Sequence, residues 1–177
     1  MINFKFFKSD LKQITREPII ILLYLAPILL LTLGKISLNY FENLFQINNY
    51  IFYIISTFIV LSSGMLGIVT GFMMIDVKDG NIYQLMQITP LGKKGYLINR
   101  LLIPSFFSFF YTLIIINLFG NINFLKGTFL ILFSIIQTII FCISIFYLAN
   151  DKVKGLTYAK GLNIFVVFCF IDLFNNR

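Results

Sequence analysis

The chain has 177 residues, of which 59% are hydrophobic and 12% charged, with a net charge of +7, two cysteines and no histidine. Globular domains carry roughly 25% charged residues, and a soluble fold of this length could not hide so many Phe, Ile and Leu side chains, so the composition excludes a soluble domain and indicates an integral membrane protein. Cys142 and Cys169 both lie in apolar segments, which leaves no zinc site or disulfide framework, and no cofactor or catalytic residue is expected.

Residues 1–17 place Phe4, Phe7, Leu11 and Ile14 at helical spacing, with Lys5, Lys8, Lys12 and Arg16 on a neighbouring face. That pattern suits an amphipathic helix lying in the membrane interface; a solvated basic tail is the plainer alternative. Apolar runs follow at 18–34, 51–75, 101–119 and 128–148, each near the length of about 20 residues that a membrane-crossing helix requires. Pro27 and Pro104 fall in or near the start of two of them, where membrane helices tolerate a kink. A fifth run, 161–174, is shorter, is interrupted by Asp172, and reads as an incomplete span. The expected fold is an all-α helical bundle of four to five transmembrane helices, forming a single domain over residues 1–177.

Basic residues alternate along these runs. Lys5, Lys8, Lys12 and Arg16 precede the first; Lys78, Lys93, Lys94 and Arg100 separate the second from the third; Lys152, Lys154 and Lys160 follow the fourth. The intervening loops hold only Lys35 and Lys126. Because Lys and Arg accumulate on the cytoplasmic side, the N-terminus and the segments 76–100 and 150–160 are expected there, in a multi-pass protein of the cell membrane. The basic excess thus reflects topology and the lipid bilayer, not nucleic acid.

In the second run, Ser63, Gly67 and Gly71 recur every four residues, so a strip of very small side chains follows one helical face and allows another helix to approach closely. Packing within the chain and packing between subunits both fit such a strip. The polar segment 76–100, DVKDGNIYQLMQITPLGKKGYLINR, is too long for the tight turn that two adjacent helices require. Asp79 suits the N-cap of a short helix on which Ile82, Leu85 and Met86 form an apolar ridge, while Thr89 and Pro90 suit the start of a new helix carrying Tyr96 and Arg100 toward the membrane. A ridge of this kind fits a groove on a partner protein, or it rests on the membrane surface.

The opening FKSDLKQITREP, a Pro-containing first span, a second span ending in IDVKDG and the following YQLMQITPLGKKGYLINRLL resemble the membrane subunit of type-2 ATP-binding-cassette exporters over most of residues 4–105. The resemblance implies that 76–100 is a coupling segment whose short cytoplasmic helix docks on a separate, soluble ATP-hydrolysing subunit. Residue by residue it implies that Asp76, Lys78, Asp79, Gly80, Leu85, Thr89, Pro90, Tyr96 and Arg100 belong to that docking region, with Ile82 and Met86 completing the ridge. It also implies a second permease chain, identical or different. Such subunits usually have six spans, whereas this chain ends within or just after its fifth apolar run; a truncated product, a split subunit completed by another chain, or a fragment would account for that. No GxxxxGK[ST] phosphate loop occurs, so ATP binding belongs to the partner. An intramembrane hydrolase is disfavoured because Glu17, Glu42 and Asp172 form no pair and the Ser and Thr residues lack a His base. A non-transporting interaction, immunity or regulatory protein is the alternative class.

Overall fold

A computed structural model describes Lys12, Thr15 and Arg16 and residues 18–42, 51–80, 92–119 and 123–175. All the elements among these residues are helices: α1 (Pro18–Glu42), α2 (Ile51–Asp79), α3 (Gly92–Phe119), α4 (Phe124–Leu148) and α5 (Lys152–Asn175). Helix is the expected choice for such sequences, because it satisfies every backbone N–H and C=O within the segment when no water is at hand. Tyr53–Asp79, Lys94–Leu118 and Phe124–Leu148 are long and apolar enough to cross a membrane, and Ile20–Ile36 is a shorter apolar helix. The chain is therefore an all-α membrane bundle.

The helices outrun the apolar runs that announce them. α1 continues through Lys35 to Glu42, α2 through Asp76 and Lys78 to Asp79, and α3 begins at Gly92 rather than near Leu101. The polar connection at 150–160 is likewise mostly helix, because α5 starts at Lys152. Hydropathy marks only the stretch that suits lipid; the hydrogen-bonded ladder continues through the polar residues at its ends. Pro27 and Pro104 lie inside continuous α1 and α3. Of the expected interfacial helix at 1–17, Lys12, Thr15 and Arg16 are helical, and the rest lies outside the described residues.

α2 is the hub, touching each of the other helices, and its most extensive contact is with α4. A Cβ added at Gly67 would come within 2.7 Å of the Thr138 carbonyl oxygen and 2.8 Å of the Phe141 Cβ; one at Gly71 would lie 2.9 Å from the Ile145 Cβ. The glycine face of α2 is thus seated on the α4 backbone. Polar side chains fasten the same seam. Ser63 donates to the Gln137 Oε1 at 2.9 Å, and Gln137 Nε2 donates to the Val60 carbonyl at 3.1 Å. The Thr138 hydroxyl sits between the carbonyls of Ser134 (2.8 Å) and Ser63 (3.2 Å). One turn along α4 from Thr138, the Thr112 hydroxyl of α3 lies 2.9 Å from that of Ser134.

α1 is attached more sparsely, to α2 and α3. Its fixed point is Tyr24, whose hydroxyl lies 2.8 Å from Thr70 Oγ1 while its carbonyl accepts from the Tyr111 hydroxyl at 2.6 Å. Thr70 already donates to the Leu66 carbonyl at 2.9 Å, so its single proton is used and Tyr24 is the donor. Around this point pack Ile20, Leu66, Val69, Met73 and Ile103.

The α2–α4 seam sets a clear expectation. Gly67→Ala, which drives a methyl into a backbone carbonyl, should lower stability by about 1–3 kcal/mol. Gly161→Ala on α5, where an added Cβ meets nothing within 4 Å, should be neutral or raise stability by up to about 1 kcal/mol. Thermal unfolding of the two variants in detergent checks the contrast.

Candidate functional site

α2 and α4 end at the same pole of the bundle, and α3 and α5 begin there, so these four helix ends meet. Asp76, on the last turn of α2, forms an ion pair with Lys152 Nζ at 2.7 Å, at the first residue of α5. Two residues on, Lys78 Nζ lies 3.4 Å from the carbonyl of Ala149 and 5.7 Å from the centroid of the Phe146 ring. Ala149 is the extended C-cap of α4, and its own N–H is bonded to the Ile145 carbonyl. Lys78 therefore supplies a cation to the C-terminal end of α4, where exposed carbonyls and the helix dipole favour one. It also adds a favourable contact with the face of Phe146.

Asp79 is the last residue of α2, and Gly80 closes the turn by donating its N–H to the Asp76 carbonyl at 3.1 Å. Both are exposed. Across the residues between, α3 starts at Gly92, whose φ of 60° is in the left-handed region that glycine alone adopts freely. Tyr96 and Arg100 then turn into the bundle and are only 5% and 4% exposed. Tyr96 packs with Met74, Cys142 and Phe146, and with Val77, Leu97 and Leu101. In this arrangement Tyr96 packs α3 against α2 and α4, and both Tyr96 and Arg100 are buried. Asp76, Lys78, Asp79 and Gly80 remain at the surface or half-buried. Ile82, Leu85, Met86, Thr89 and Pro90, and with them the expected short helix, lie outside the described residues.

Ser63, Gly67 and Gly71 stand apart from this pole, along the α2–α4 seam. Two sets of residues escaped the sequence reading. One is the buried hydroxyl and amide layer of Thr70, Thr112, Ser134, Gln137 and Thr138, which hydropathy scores as scattered polar residues in apolar runs. The other is Gly155 with Ala159 at the start of α5. A Cβ on Gly155 would come within 2.8 Å of Phe72 and 3.0 Å of Ile75, so this short-spaced pair docks α5 onto α2 beside Asp76. Their four-residue spacing was the available signal, and the lysines around them masked it. Among the described residues, no group of His, Cys, Asp or Glu side chains could hold a metal ion.

The contacts at this pole tie helix ends together. Two helices enter the polar segment after α2, one on either side, and each is fixed to α4 within a turn or two of that segment. The Asp76–Lys152 pair is partly open to water, so a double-mutant cycle with Asp76→Ala and Lys152→Ala should give a coupling below about 1 kcal/mol, shrinking as salt is added. Denaturant unfolding in detergent at low and high salt measures it.

Comparison with known proteins gives one result. The model of the Rv2686c-like family, described as "Fluoroquinolones export permease protein Rv2686c-like", matches residues 10–177. No curated protein and no solved structure matches the chain. The match extends well beyond the resemblance at residues 4–105 and takes in α4 and α5.

Proposed function

The chain belongs to the Rv2686c-like family of export permeases, and on that premise we propose that it is the permease subunit driven by a separate ATPase that docks on the segment 76–100. The observation that carries the reading is mechanical. α2 runs without a break from its apolar part through Asp76 to Asp79, and α3 resumes at Gly92, so the polar segment is the short link between two long rods. A displacement of that link is delivered to the α2–α4 seam by one rod and to the Tyr96 cluster by the other. When the ATPase closes on nucleotide, the rods shift together and the bundle passes between inward-open and outward-open arrangements.

Charge supports the same orientation. The pole of the candidate site carries Lys78, Lys94, Lys152, Lys154 and Lys160, while Lys35 and Lys126 mark the other end. Under the positive-inside rule the candidate site and the N-terminus lie in the cytoplasm, where an ATPase is found. By their spacing in the sequence, we assign Ile82, Leu85 and Met86 as the apolar ridge for the ATPase groove, with Asp79 and Gly80 before it and Thr89 and Pro90 after it. Tyr96 and Arg100 position the return helix. A second permease chain completes the pathway. The family description names fluoroquinolones, and we extend that cargo, a planar aromatic amphiphile, to this chain.

Co-expression with an ATP-binding-cassette ATPase from the same organism tests the reading. The pair should co-purify, and Leu85→Glu with Met86→Glu should abolish co-purification while leaving the permease in the membrane. Cells carrying the intact pair should accumulate several-fold less of a fluorescent fluoroquinolone than cells with that double variant. Equal accumulation with intact co-purification would remove the cargo assignment, and co-purification unaffected by the two glutamates would remove the docking ridge.

A further inference from the structure

The first turns of α5 carry cations that the bundle itself does not use. Gly155 and Ala159 are the buried positions, seated against α2, which leaves the other sides of the helix facing outward. Lys152, Leu156 and Lys160 succeed one another at four-residue spacing and so share one ridge; Lys154 and Tyr158 make a second such step on the opposite flank. Lys152 is held by Asp76. Lys154 and Lys160 are exposed and form no ion pair with the described residues. The nearby acids in sequence or contact are Asp76, already engaged, and Asp151, just before the helix.

Set among these lysines are Val153 and Leu156, 76% and 54% exposed. Apolar side chains this open, alternating with ammonium groups, suit the boundary between acyl chains and headgroups better than bulk water. The depth is marked independently by exposed Tyr147 at the end of α4 and Tyr158 on α5, the position of an interfacial aromatic belt. A lysine at that depth lays its aliphatic stem along the apolar neighbours and lifts its charge to the headgroups. Side chains on a helix lean toward its N-terminus, so Lys160 reaches back toward the Lys152 end, where the polar pole lies.

We infer that this outward face of α5 binds the anionic phospholipid headgroups of the bilayer, with Lys154 and Lys160 at the phosphates and Val153 and Leu156 in the acyl boundary. The contact fixes the depth of the start of α5, which through Asp76 and Gly155 holds the end of α2. It does not depend on the ATPase-driven reading and would stand if that reading failed.

Native mass spectrometry of the purified full chain, without ATPase, tests it by titrating phosphatidylglycerol against phosphatidylcholine. The wild type should retain phosphatidylglycerol preferentially, and affinity should fall about fivefold for each lysine removed in K154Q/K160Q. K154R/K160R should keep the preference, and K35Q/K126Q, at the opposite end, should match the wild type. The inference is overturned if K154Q/K160Q retains the preference or if K35Q/K126Q loses it equally. Circular dichroism of each variant establishes that it is folded, and the arginine pair separates loss of charge from loss of structure.

Discussion

Everything in this bundle is hung on the close approach of α2 and α4. Lipid tails are as apolar as Leu, so burying a hydrophobic face supplies little drive for one membrane helix to join another; tight van der Waals packing and interhelical hydrogen bonds must do it. The Gly67 and Gly71 face brings the two backbones together, and Ser63, Gln137 and Thr138 bond across the seam at that approach. Each bond has few competitors, because a polar group left open in hydrocarbon costs several kcal/mol. α3 joins the same core through Thr112 and Ser134, whereas α1 is tied mainly at Tyr24.

That seam also decides how the polar pole is built. With α2 and α4 fixed side by side, their ends come out together, and Lys78 falls beside the last carbonyl of α4. The next helix starts within four residues of α4, so Lys152 meets Asp76 across the same corner. None of these contacts is strong alone. Together they tie the base of α2 to α4 and α5, and buried Tyr96 packs the returning helix against Met74 and Phe146.

The outline of this architecture was legible in the residues. Apolar run length located the helices, because the bilayer imposes a length and forbids unsatisfied backbone; the Ser63, Gly67 and Gly71 spacing marked a face made for close contact. The ends of the helices were less legible. Hydropathy stops where lipid suitability stops, near Ile75, Leu101 and Gly161, yet α2, α3 and α5 extend through charged residues because a helix needs only its ladder. Among the candidate docking residues, type and position could not separate surface from interior. Tyr96 and Arg100 look as exposed in sequence as Asp79, and only the packing of α3 against Met74 and Phe146 turns them inward.

The sequence by itself determined a basic, all-helical membrane chain with a long polar break after its second apolar run, since those properties follow from local composition and the period of one helix. Tertiary structure decided which helix the small-residue face meets, that Gly155 and Ala159 seat α5 on α2, and that Asp76 faces Lys152. Those are facts about pairs of residues far apart in the chain, 76 positions for Asp76 and Lys152 and 83 for Phe72 and Gly155. Their cause is the mutual fit of two helix surfaces, and no single segment contains it.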